Sequence, residues 1–121
     1  HTAADREETF KQIYSRFGAG FADWTDLEQQ FGNVWQKQLH LFEVPFYYIE
    51  YAIAQLGAIA VWKNYKENPE KALAQYLEAL SLGYTKPINE IYETAGIKFD
   101  FSAEYVEELA GFVKSELEKL G

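Results

Sequence analysis

PFYYIEYAIAQLGAIAVWKNY, running from Pro45 to Tyr65, decides how the chain folds. Phe46 to Trp62 is its longest apolar stretch, interrupted by Glu50 and Gln55. That run falls short of the roughly 20 apolar residues that span a bilayer, so it reads as a helix buried in protein. From Tyr51 to Trp62 it is apolar on nearly every side, unlike a surface helix with one apolar stripe. It is therefore expected to be the central element, with Gly57 and the alanines at 52, 54, 58 and 60 letting neighbouring backbones approach closely. Pro45 disfavours helix at Val44 and suits the first turn of a new helix, so a break is expected between Leu41 and Val44 and a helix from Pro45 to about Tyr65.

Outward from this segment, every other stretch reads as helix. Thr2 with Asp5 has the form of a capping box, and Phe10, Ile13, Tyr14 and Phe17 follow at helical spacing. Gly18 is a natural stop, and Gly18 to Asp23 reads as a turn. Thr25 with Glu28 is a second capping-box candidate, and Leu27, Phe31, Val34, Trp35 and Leu39 predict a helix to about His40. Asn68-Pro69 is a cap followed by a first-turn proline, with Ala72, Leu73, Tyr76, Leu77 and Leu80 forming a face and Gly83 ending it. Pro87 opens a short helix closed by Gly96. Ile97 to Phe101 reads as an extended connector that staples Phe99 and Phe101 to the core. Ser102 caps a last helix whose Val106, Leu109, Phe112, Val113 and Leu117 are expected to point inward. Trp24, Trp35 and Trp62 read as packing residues, and the run from Lys63 to Glu67 as solvated. No linker divides the chain. The expected fold is all-α, about six helices around the Pro45–Tyr65 helix in a single domain over residues 1–121.

Composition narrows the function. The 121 residues are 48% apolar and 17% aromatic, which calls for either a dense core or an aromatic surface meant for a partner. Eleven Lys and Arg against 19 Asp and Glu leave a formal charge of -8. That balance argues against nucleic acid, which needs a basic face to release counterions. Without cysteine there is no thiolate nucleophile, thiolate metal site or disulfide, and a reducing, cytoplasmic setting is permitted. No basic-then-apolar targeting segment is visible, and a start at His1 rather than Met reads as a processed or excised piece, or a tag remnant.

The segment from His40 to Tyr51 is the one that could carry chemistry. Tyr48 and Tyr51 lie three apart and project from one helix face, as do Tyr47 and Glu50. His40 stands before the proline, where a turn could fold it back towards them. An imidazole and two phenols converging on one cavity are hydrogen-bond donors without a charged nucleophile. A phenol, with an ordinary pKa of about 10, stays a donor at neutral pH and suits an anionic tetrahedral intermediate. By spacing alone the same aromatics also fit a packed core, and a lone histidine a satisfied core or surface position.

His40 to Trp62, with Pro45-Phe46-Tyr47-Tyr48-Ile49-Glu50-Tyr51 and Ala54-Gln55-Leu56-Gly57-Ala58, closely resembles the region after the zinc site in oligoendopeptidase F-type metallopeptidases. These are thimet-oligopeptidase-like enzymes, mostly helical, which degrade short peptides in a deep channel. The resemblance extends over nearly the whole chain, through His1-Thr2 with Arg6, Asp23-Trp24, Trp35 to His40, Asn68-Pro69, Leu80-Ser81-Leu82-Gly83 and Ala95-Gly96-Ile97. It implies that His40 hydrogen-bonds the substrate backbone or the oxyanion side and that Tyr51 donates to the developing oxyanion. Tyr48 would contact substrate or share that work, and Tyr47 would join His40 and Tyr48 in binding substrate.

The family's zinc is held by two histidines of HExxH and a downstream glutamate, with the motif's own glutamate as general base. The chain has no HExxH. Its two histidines are His1 and His40, and His40-Leu41-Phe42-Glu43 has the wrong spacing for a helical metal pair. The expectation is therefore a carboxy-terminal piece of a larger catalytic domain, zinc-dependent as a whole, with no metal ligand of its own. Its partners would be the remainder of that domain, carrying HExxH, and an oligopeptide substrate, with no nucleic acid and no membrane. The isolated fragment would be inactive and prone to self-association through its aromatic wall. The alternative is a stand-alone helical interaction or ligand-binding module without catalysis.

Overall fold

The computed structural model describes residues 1–18 and 22–121, and among them it is all-helical, with seven α-helices and no strand. The turn expected at Gly18 to Asp23 falls largely on residues 19–21, outside the described residues. Two compact units form, His1–Tyr48 and Ile49–Gly121.

In the first unit, α1 (Ala3–Gly18) starts as its sequence dictates. The Thr2 amide donates to Asp5 Oδ2 at 2.7 Å and the Asp5 amide to Thr2 Oγ1 at 3.2 Å, closing the capping box. A string of rings joins α1 to α2 (Glu28–Asn33): Phe10 on Tyr14, Tyr14 on Phe31 and Phe31 on Trp24, with centroids 5.1 to 5.4 Å apart.

The helix expected from Thr25 to His40 is broken. Thr25 does not cap it, because its amide and hydroxyl are both held by Asp23 Oδ1 at 2.9 and 2.6 Å. After six residues of α2 the chain tightens into a 3₁₀ turn, Val34–Lys37. The indole of Trp35 donates to the Gly32 carbonyl at 3.1 Å, the acceptor an α-helix would offer to the amide of Gln36. A further turn, α3 (His40–Glu43), occupies the place where the break was expected.

The break lies at Val44 to Tyr48 instead, and Pro45 does not open α4 (Ile49–Glu67). Val44, extended at φ -133 and ψ 83 as a pre-proline residue prefers, accepts from the Tyr47 amide at 3.1 Å. Pro45 is thus the second residue of a four-residue turn, and Phe46 sits third at φ 65, a place that favours glycine. A left-handed phenylalanine cannot propagate a helix, which is why α4 starts four residues later than Pro45.

In the second unit, α4 packs against α5 (Pro69–Leu82) and α7 (Ala103–Glu118), and α5 against α6 (Ile88–Thr94). Local signals act as expected. Asn68 Oδ1 accepts from the Lys71 amide at 3.1 Å, Gly83 ends α5 at φ 53, and Ser102 Oγ accepts from the Tyr105 amide at 3.3 Å. Residues 97–101 form a connector outside any helix. The phenyl of Phe99 stands between Tyr92 and Phe101, at 5.1 and 4.9 Å. The core is small: Ala60, Tyr105 and Leu109, bordered by Leu56, Ile59 and Ile97. Val106 and Leu117, expected inward, are exposed, as are Leu73, Leu77 and Leu80 of α5. Within α4 the buried positions are Gly57 and Ala60. A methyl on Gly57 would meet the Tyr92 hydroxyl at 2.9 Å, so the glycine makes room for that phenol against α4.

The Lys63–Glu67 run is not simply solvated. Lys63 pairs with Glu108, Asn64 Nδ2 donates to the Gly96 carbonyl at 2.8 Å, and Lys66 reaches Glu116 at 2.8 Å. Glu116, only 8% exposed, also binds Lys119. Hydrogen bonds from Lys119 and then Lys66 hold its carboxyl below the ordinary glutamate range. A carboxyl with a folded pKa below its unfolded value of about 4.3 stabilises the fold above that value. The contribution is lost as pH falls through the folded value. Glu116→Gln should therefore lower the melting temperature at pH 7 and flatten its fall between about pH 5 and pH 2. Some slope should remain, since Glu108 and Asp100 are lowered too. Thermal melts by circular dichroism check this, and parallel slopes in the two proteins would contradict it.

Candidate functional site

The turn at Val44–Tyr47 does for the first unit what the proline was expected to do: it folds the chain back on His40. The imidazole, in the first position of α3 and half-buried, lies parallel to the ring of Tyr47, with centroids 6.3 Å apart and planes 11° apart. Tyr48 meets the same imidazole at 6.0 Å, tilted by 48°. Both distances lie within the roughly 4.5–7 Å range of interacting rings. His40, Tyr47 and Tyr48 are thus brought together. Tyr47 and Tyr48 stay partly open to solvent, at 48% and 42%.

Tyr51 lies in the second unit, in the first turn of α4 and 51% exposed. The helix that Tyr48 and Tyr51 were expected to share starts only at Ile49, so Tyr48 belongs to the approach and Tyr51 to the helix. Glu50, expected on a buried helix, is exposed beside Tyr51. Its charge and, more strongly, burial push the Tyr92 phenol above its ordinary range, so that hydroxyl is held protonated. Tyr92 donates to the Ile53 carbonyl at 3.3 Å, tying α6 to the start of α4.

Phe46 was not singled out in the sequence, although it stands between His40 and the tyrosines. It is 96% exposed and left-handed. Proline followed by a large residue does not announce a glycine-type turn, so no local signal marks it. The ion pairs of Lys63 and Lys66 were missed for a different reason: their partners lie 45 and 50 residues away.

The histidines number two, and among the described residues no three His, Asp or Glu side chains are grouped to hold an ion. The arrangement can offer neutral hydrogen-bond donors and aromatic surface. No helix among the described residues is long and apolar enough to cross a membrane.

A family model described as peptidase family M3 matches residues 1–111. Comparison with curated proteins and with solved structures returned no match.

Proposed function

The chain belongs to peptidase family M3, and on that premise we propose that it is the carboxy-terminal helical part of an oligoendopeptidase F-type zinc metallopeptidase. Residues 1–121 act together as one piece of a larger catalytic domain, in a cytoplasmic setting. The reaction is hydrolysis of short peptides. The observation that carries this reading is the convergence of Tyr47 and Tyr48 on His40.

Each residue has a role. His40, Tyr47 and Tyr48 bind the substrate backbone, with Tyr48 also sharing in catalysis. His40 donates on the side where the attacked carbonyl develops negative charge, and Tyr51 donates to that oxyanion. A donor aimed at charge that appears only in the transition state accelerates the step, whereas one satisfied equally by the ground state merely tightens binding. Peptidases of this family are zinc-dependent in general. Zinc supplies Lewis-acid activation of water and carbonyl when bound, and its ligands belong to the remainder of the domain, since the two histidines here do not fit one.

Purified as 121 residues, the chain should hold no stoichiometric zinc and cleave no peptide. Metal analysis and a fluorogenic peptide assay check both, and an active, zinc-loaded chain would overturn the fragment reading. A second reading, a stand-alone helical interaction or ligand-binding module without catalysis, is favoured by the exposed apolar faces of α5 and α7. A source gene that runs upstream through HExxH decides for the peptidase, and one that starts near His1 for the module. Sedimentation tests the exposed faces directly: self-association should rise with concentration, against which a single monomer peak at all concentrations would count.

A further inference from the structure

Phe46 combines two features that local chemistry disfavours: a left-handed backbone at φ 65, and a ring left 96% exposed in this chain. An L side chain in that region crowds the following carbonyl, so single glycines or asparagines usually hold it. Such a conformation persists where neighbouring structure over-determines it, and it concentrates at functional sites. We propose that Phe46 is a positioning residue, whose left-handed backbone delivers Tyr47 and Tyr48 to the imidazole of His40. Its ring takes no part. That placement is internal to the chain, and its use in catalysis rests on the peptidase reading above.

Contacts on both sides of Phe46 form a closed circuit. The His40 carbonyl accepts from the Val44 amide at 3.2 Å, and the Val44 carbonyl accepts from the Tyr47 amide at 3.1 Å. The ring of Tyr47 then returns to His40, parallel to the imidazole at 6.3 Å, and Tyr48 meets the same imidazole at 6.0 Å. Phe46 lies inside the last arc of this circuit. Proline second and a positive φ third is the pattern of a type II turn, which calls for glycine or asparagine in the third place.

In a closed circuit, strain at one member is held in place by the others. A right-handed Phe46 would need the Pro45–Phe46 peptide to flip into a type I turn, whose third residue has φ of about -90°. The flip alters how the chain enters Tyr47, and the ring contacts on His40 oppose it. Backbone and rings are thus coupled. A residue that accepts positive φ keeps the tyrosines on the imidazole, and one that resists it lets them go.

Phe46→Gly, Phe46→Asn and Phe46→Val, made in the 121-residue chain, separate backbone from ring. Glycine and asparagine tolerate positive φ, whereas β-branched valine does not. All three remove the phenyl, so whatever it touches in a larger domain is lost equally, and differences among them read the backbone. NOE cross-peaks between the His40 imidazole and the rings of Tyr47 and Tyr48 report the cluster. A strong cross-peak from Pro45 Hα to the amide of residue 46 reports the type II turn. The Gly and Asn variants should keep both signals, and Phe46→Val should lose both while the Tyr105 and Leu109 signals of the second unit stay in place. Wild-type ring cross-peaks in Phe46→Val, or their loss in Phe46→Gly, overturn the proposal. In the catalytically complete enzyme, kcat/KM should fall about tenfold or more in Phe46→Val and stay within about twofold in the other two. Failure of the peptidase reading looks different: the ring cross-peaks would be lost in Phe46→Val with activity retained, so the positioning stands and the catalytic use of the cluster falls.

Discussion

Tyr51→Phe, made in the catalytically complete enzyme, should lower kcat by about a hundredfold or more while KM changes little, the loss expected for one oxyanion donor. The substitution removes one oxygen and keeps the ring. Tyr51 is half exposed in the first turn of α4, so the hydroxyl is not part of a closed core and the fold should tolerate its loss. Steady-state kinetics on one good peptide suffice, with an unchanged melting temperature as the control for folding. Tyr48→Phe supplies the contrast. Its ring meets His40 at 6.0 Å and is kept, so loss of the hydroxyl as a substrate contact should raise KM. Near-wild-type turnover in Tyr51→Phe would remove that residue from the oxyanion role, and unchanged kinetics in Tyr48→Phe would remove it from substrate binding.

Leu109→Ala should be the most destabilising single truncation in the second unit, by about 3 kcal/mol within a range of roughly 2–5 for buried leucines. Leu109 is 1% exposed and is the one side chain among the described residues that is large and fully enclosed. It fills the space between α7 and α4 with Ala60 and Tyr105, and with Leu56, Ile59 and Ile97 at the border. The methyl of Ala60 cannot move to fill the hole, so the cavity term adds to the lost transfer energy. In a unit of this size a loss of about 3 kcal/mol corresponds to a fall in midpoint on the order of 10–25 °C. Domains are stable by only about 5–15 kcal/mol in all, so the variant should be partly unfolded under mild denaturant. Leu117→Ala and Leu120→Ala, both at exposed positions, should change stability by less than about 0.5 kcal/mol. Urea titrations read all three, and equal effects at Leu109 and Leu117 would show that α7 is not anchored through Leu109.

Part of the site was legible from its letters. His40 and Tyr47 are seven residues apart across a proline, so a single turn was enough to bring them together, and a turn is what forms. The route differs from the one expected. Pro45 was read as a helix start because its fixed φ suits one, but the same φ suits the second position of a turn. Nothing local chose between these, and Phe46 went left-handed. The alanines at 54 and 58 and Gly57 were read as places of close approach. Gly57 does make room for the Tyr92 phenol, while Ala54 and Ala58 are exposed.

By itself the sequence determined the helices and most of their ends. Thr2 with Asp5, Asn68 and Ser102 act on amides three residues away, and Gly83 and Gly96 take the positive φ that only glycine adopts freely. Such signals are complete within one turn of chain, and no tertiary partner is needed to satisfy them. Tertiary structure alone decided which apolar faces are covered and which charges are paired. Leu109 and Leu117 lie on the same helix as leucines of equal hydrophobicity, yet only the first is enclosed, in the core with Ala60 of α4. Lys63 and Lys66 read as solvent-facing until α7 supplies Glu108 and Glu116. Periodicity tells a residue which face it is on, but the partner for that face comes from packing between segments tens of residues apart, which no local spacing encodes.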